Sequence, residues 1–112
     1  MATLLAPIFD LPAPVQQLTN LADARIGAEI LECSDEFFAE AKRMLQFDAP
    51  IFVEDKFDDH GKWMDGWETR RKRHAGYDSA IIELGVMGKI KALDIDTTFF
   101  TGNYPASYRF SL

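Results

Sequence analysis

The 112 residues are 47% apolar and 27% charged, with a formal net charge of −6; that is enough to bury one core and too apolar for a disordered chain. One domain is expected over residues 1–112, with no room for a second. The acidic balance disfavours nucleic acid as a partner, and neither a run approaching the ~18 apolar residues of a membrane span nor a secretory start is present, so no membrane role is expected.

Residues 1–25 hold Pro7, Pro12 and Pro14 among short apolar pieces, which predicts an extended lead-in with one turn of helix near Leu18. Ile26 to Cys33 reads as a strand. Ser34 then offers an N-cap ahead of Asp35 and Glu36, and Phe37, Phe38, Ala41, Met44 and Leu45 fall on one helical stripe, so one short helix is expected. The lone Cys33 has no internal disulfide partner and is expected as a buried, reduced thiol, which favours the cytoplasm. From Phe47 to Gly61, Pro50 and a run of Asp and Lys break any periodicity, predicting a long surface loop.

Strand-like runs follow at Trp63–Thr69, Ser79–Leu84, Gly88–Asp96 and Ser107–Phe110. The class is therefore mainly β, and several such strands suggest an antiparallel β-sandwich. In Ser79–Leu84, Ala80, Ile82 and Leu84 share one face, as in a half-buried strand. In Gly88–Asp96 the alternation slips by one residue. Either a bulge near Ala92 keeps the apolar groups together, or Asp94 and Asp96 point to the side that Ile90 occupies. Both readings make Asp94 a site candidate, beside the plainer one of a solvated strand end.

The segment Gly61-Lys-Trp-Met-Asp-Gly-Trp-Glu-Thr-Arg-Arg-Lys-Arg73 joins both tryptophans, two carboxylates and four consecutive cations. As a strand it places Asp65 between Trp63 and Trp67, a setting that desolvates a carboxyl and raises its pKa towards that of a general acid. Arg70 or Arg71 offers a bidentate fork for a substrate carboxylate. The competing reading makes the tryptophans core and the arginines a solvated turn. His60 and His74 lack metal-ligand spacing, and Asp58, Asp59, Asp94 and Asp96 lie in no recognisable cation loop, so no metal or cofactor is expected. Gly102-Asn103 reads as a tight turn, either facing a ligand or as a plain hairpin turn.

The run Lys62-Trp-Met-Asp-Gly-Trp-Glu-Thr-Arg-Arg71 resembles the signature segment of allantoicases. Ala24-Arg-Ile-Gly-Ala28, Cys33-Ser-Asp-Glu-Phe-Phe-Ala39 and Asp94-Ile-Asp-Thr-Thr-Phe-Phe-Thr-Gly-Asn-Tyr-Pro105 agree with it in order and spacing. The resemblance covers about Leu21 to Pro105. It implies most of the first of two jelly-roll, galactose-binding-domain-like repeats, expected to be incomplete, in an enzyme that hydrolyses allantoate to ureidoglycolate and urea during purine breakdown. Mapped onto the matching segments, Asp65, Glu68 and Asp94 are the expected catalytic carboxylates, and Trp63, Trp67, Arg70, Arg71, Gly102 and Asn103 the expected substrate contacts. The expected partners are the small-molecule substrate and either a second copy or the remainder of a full-length allantoicase. The alternative is a non-catalytic β-sandwich module that binds a small anion or sugar.

Overall fold

The computed structural model describes residues 3–5 and 12–112, so Pro7 and part of the expected lead-in lie outside the described residues. Six short strands make the chain mainly β: β1 Thr3–Leu5, β2 Glu29–Cys33, β3 Ile51–Val53, β4 Phe57–Asp58, β5 Gly61–Lys62 and β6 Ala80–Glu83. They pair antiparallel as three two-stranded sheets, β1 with β3, β2 with β6 and β4 with β5. The two facing sheets of a sandwich are not formed among the described residues. The expected helical turn is α1, Ala13–Gln16, slightly before Leu18, with Pro12 at its N-cap.

Strand β2 begins three residues later than its apolar pattern predicts, because Asp23 turns Ala24–Ile26 into a 3-10 turn. The Asp23 carboxylate accepts from the backbone N–H of Arg25 at 2.8 Å and from Arg25 Nη2 at 2.8 Å. These bonds to Arg25 hold the Asp23 carboxyl below the usual carboxylate range, against the opposing effect of burial. The turn ends on Gly27, whose φ of 102° is left-handed and suits only glycine without strain. In the β2–β6 ladder the register shifts between Ile30 and Glu32, leaving Leu31 as the extra residue of a bulge.

Gly85, just past β6, is where the chain crosses the Ile26–Gly27 backbone. A Cβ on Gly85 would fall inside the contact envelope of Ile26 O and of Gly27 Cα and C. These are backbone atoms and cannot rotate away. Gly85→Ala is therefore expected to lower the unfolding free energy by about 1–3 kcal/mol through forced backbone displacement. A urea denaturation midpoint equal to that of the parent chain would show that the crossing can spread at no cost.

The expected helix after Ser34 does not form as drawn. Ser34 Oγ donates to Asp78 Oδ1 at 2.8 Å and accepts from the Ser79 N–H at 2.9 Å, so it ties β2 to β6 and caps nothing. Residues 35–39 run alongside Glu68, and the only helical piece is a 3-10 turn at Ala41–Leu45. Its first N–H, that of Ala41, is satisfied by Glu36 Oε2 at 3.0 Å. Ala41 and Leu45, at 0% and 2% exposure, join Ala28 and Val53 as the buried apolar core among the described residues. Met44 and Phe37, on the same predicted stripe, are exposed.

The predicted loop from Phe47 to Gly61 instead contains β3 and the β4–β5 hairpin, with Asp59-His60 as its two-residue turn. The predicted strand Trp63–Thr69 is irregular apart from one bridge, Glu68 to Ala39. Gly88–Asp96 and Ser107–Phe110 form neither strand nor bulge. A strand requires a neighbouring strand for its ladder, and among the described residues the paired strands do not include these segments. Cys33 is half-buried, and its thiol is pushed up by burial first and then by the carboxylates of Glu36, Asp35 and Glu32. No helix is long and apolar enough to cross a membrane among the described residues.

Candidate functional site

The Ala39–Glu68 bridge organises the site. Both the Phe38 and Ala39 N–H groups donate to the Glu68 carbonyl, at 3.1 and 3.0 Å, and the Glu68 N–H returns to Ala39 O at 3.2 Å. Asp35 reinforces the junction: its carboxylate accepts from the N–H groups of Arg70 and Phe37, and its carbonyl from Trp67 Nε1 at 2.7 Å. The Arg70 N–H is the main cause holding the Asp35 carboxyl below the usual range, with the Phe37 N–H and the Arg70 and Lys72 charges adding to it against burial.

Two cavities open beside this junction. One, of about 380 Å³, is lined by Phe38, Phe52, His60, Lys62, Met64, Glu68, Phe99, Thr101 and Asn103. Inside it Asn103 Nδ2 donates to Glu68 Oε2 at 2.9 Å. Burial pushes the Glu68 carboxyl above the usual carboxylate range; the Asn103 hydrogen bond opposes the rise and the negative charge of Asp58 adds to it. Lys62 Nζ donates to Val53 O at 2.9 Å and lies over the Phe52 ring. Phe99 stands at φ 71°, uncommon for an aromatic residue, with its ring 5.8 Å from that of Phe52.

The second cavity, of about 430 Å³, is lined by Phe37, Phe38, Arg70, Arg71, Arg73 and His74. The Arg70 guanidinium carbon lies 4.1 Å from the Phe37 ring centroid. Lys72, the remaining member of the cation run, turns towards Asp78 at 3.7 Å and does not line the cavity. Among the described residues Arg71 and Arg73 carry no ion pair, so their guanidinium groups are available to an anion.

The structure thus brings together Glu68 and Asn103 on one side and Arg70 and Arg71 on the other. The remaining expected residues are placed differently. Asp65 lines neither cavity. Its side chain, 7% exposed, accepts from Arg43 Nη2 at 3.2 Å, from Gln46 Nε2 and from the Ile51 N–H at 2.9 Å. That is the setting of a carboxylate that pins three segments, rather than one waiting to exchange a proton with a ligand. Trp63 lies under Lys56 and Arg43, with centroid distances of 3.9 and 4.8 Å, and Trp67 spends its N–H on Asp35. Neither tryptophan lines either cavity, nor do Asp94 and Gly102. Asp94 is exposed. Gly102 is not among the left-handed glycines, and a Cβ there would meet open space, so nothing in its backbone requires glycine.

The linings also contain residues that sequence reasoning passed over: His60 and Lys62 from the β4–β5 hairpin, Phe37 and Phe38 from the predicted helix, and Arg73 and His74. The Asp58-Asp59-His60-Gly61 stretch carried a usable hairpin signal, a two-residue polar turn followed by a glycine, here at φ 128°.

The family model described as "Allantoicase repeat" matches residues 19–111. A protein of Acinetobacter baylyi named "Probable allantoicase" is 83% identical over 107 residues, covering 96% of this chain and 32% of its own length. A relative of the same name from Acinetobacter baumannii is 81% identical over the same coverage, and one from Pseudomonas fluorescens is 59% identical over 95 residues, covering 85% of this chain and 29% of its own length. The chain therefore spans about a third of the length of the curated relatives it matches. No solved structure matches it significantly. With the family model covering most of the chain in one uninterrupted match, this chain belongs to the allantoicase-repeat family.

Proposed function

We propose that the chain takes part in the hydrolysis of allantoate to ureidoglycolate and urea, in cytoplasmic purine degradation, with Glu68 as the acid–base group. The observation that carries this reading is the Glu68 carboxyl, raised by burial and hydrogen-bonded to Asn103 in a cavity that adjoins an arginine cleft. A carboxyl raised above the usual range holds its proton to higher pH than a free carboxylate, which suits a group that gives a proton to a departing nitrogen. In this scheme Arg70 or Arg71 holds the substrate carboxylate, and the Asn103 amide orients a ureido group. The carbon–nitrogen bond to one ureido group breaks, and that nitrogen takes the Glu68 proton and leaves as urea. A water hydroxyl bonds to the carbon, and the other water proton restores Glu68. Asp65, Asp94, Trp63, Trp67 and Gly102 have no part in this scheme because they line neither cavity.

The test is urea release from allantoate by the purified chain, alone and mixed with the residues of the Acinetobacter baylyi relative that lie beyond the matched segment. Release in either case supports the reading; none in both overturns it. Binding of small anions without turnover would move the arginine cleft to the alternative, a non-catalytic module.

The same reading includes a jelly-roll, galactose-binding-like sandwich completed by more polypeptide. It is supported by the exposed apolar side chains of Leu31, Ile81, Met87 and Leu93 and by the open edges of two-stranded sheets. The isolated chain is expected to self-associate or to melt without cooperativity. Light scattering after size exclusion, with a thermal melt, would refute this by finding a cooperative monomer.

A further inference from the structure

We propose that the consecutive rings of Phe37 and Phe38 form a partition between two subsites that take the two ends of one bifunctional ligand, a small acid bearing a neutral ureido group, and that Phe38 determines the span. The ligand class rests on the hydrolase reading; the partition rests on geometry. Phe38 is the one residue shared by the linings of the two cavities. On one side lie Arg70, Arg71, Arg73 and His74, which suit a carboxylate. On the other lie Glu68 and Asn103, a carboxyl and a carboxamide that match the N–H and C=O groups of a ureido function.

The wall is fixed to both sides. Its Phe38 N–H bonds the Glu68 carbonyl at 3.1 Å, so Phe38 cannot shift without moving the residue that faces the neutral end. Phe37 meets Phe38 edge-on at 4.9 Å between centroids, carries Arg70 over one face, and touches the His60 ring at 4.5 Å. The two linings thereby meet at Phe38, whose main chain is tied to Glu68. A ligand with both functional groups gains from occupying both subsites at once, because the second contact forms without a second loss of translational freedom. Substituting a smaller side chain at Phe38 leaves each subsite its polar groups but removes the surface that sets the spacing.

The experiment uses NMR titration of the full chain with acetate, with urea and with N-carbamoylglycine, which joins a carboxylate to a ureido group. N-carbamoylglycine is expected to bind on the order of 100-fold more tightly than either fragment. Arg71→Ala should weaken acetate and spare urea, and Asn103→Ala the reverse. Phe38→Leu should retain both fragments and lose about tenfold of the joined ligand's advantage, with a thermal melt confirming the fold; Phe38→Ala extends the series where it folds. The proposal is overturned if the joined ligand binds no better than the stronger fragment, if both polar variants weaken both fragments alike, or if Phe38→Leu keeps the full advantage. Failure of allantoate turnover with these results intact sinks the hydrolase reading alone. Turnover without any joined-ligand advantage sinks the partition alone.

Discussion

Glu68→Gln is expected to lower the rate of urea release by about 10²–10⁴-fold, the usual loss when a positioned proton donor is replaced by a group that cannot exchange a proton. The amide is nearly isosteric with the acid, and its oxygen still accepts from Asn103 Nδ2, so the cavity should persist. Two pH measurements separate this role from a merely structural one. In the parent chain the rate should fall as pH rises through the raised Glu68 pKa, because the acid form is the active one; that limb should vanish in the variant. Stability follows the same group. A carboxyl raised on folding contributes fully below its unfolded pKa, and the contribution is lost as pH rises through the folded pKa. Glu68→Gln should therefore flatten the loss of melting temperature on that side. A variant with parental turnover removes Glu68 as the acid.

The parts of this fold legible in the sequence are those whose partner is local or whose pattern is strong. Ser79–Leu84 contains β6, Ala80–Glu83, and Ile26–Cys33 supplies β2 once the Asp23 turn has taken its first residues. The helical stripe from Phe37 failed because a stripe records which residues could share a face, while the competing bonds came from Asp35 and Glu68, far apart in sequence. The alternation of Gly88–Asp96 failed for a related reason. Alternation describes a segment able to be a strand, and whether it becomes one depends on a neighbour that the segment does not encode.

The candidate site shows the same division. Glu68, Asn103, Arg70 and Arg71 were legible as chemistry, yet their grouping about Phe38 was not, since it depends on the Ala39–Glu68 bridge between residues 29 positions apart. The segment Trp63–Thr69, read as a strand, places Asp65 and Glu68 on opposite faces, and in the structure Glu68 lines a cavity while Asp65 lines neither. What the period of two could not supply was the identity of the donors waiting for each. Arg43, Gln46 and the Ile51 N–H converge on Asp65 from the 3-10 turn and from β3, in a stretch where turn residues masked the strand.

Asp65→Ala is accordingly expected to act on the fold, lowering the unfolding free energy by about 1–3 kcal/mol, the range for leaving hydrogen-bond partners unsatisfied. The carboxylate is 7% exposed and its partner Arg43 31%, so the carboxylate is shielded and the guanidinium partly solvated. Among the described residues Arg43 Nε already lacks a hydrogen-bond partner, and losing Asp65 would leave the guanidinium against the Trp63 ring at 4.8 Å. The Ile51 N–H would also lose its acceptor, at the start of β3. Against a total of about 5–15 kcal/mol for a typical domain, such a loss is a sizeable share of the stability. Asp65→Asn should cost less, because its oxygen can still accept from Ile51 or Gln46. Replacing both partners, as Asp65→Leu with Arg43→Met, should recover part of the loss by removing the stranded charge together with its counterpart. Chemical denaturation of the four proteins is the measurement. An Asp65→Asn chain with parental stability but no turnover would return Asp65 to the catalytic group, whereas a stability loss in Asp65→Ala with repair in the double variant identifies it as the pin between the 3-10 turn and β3.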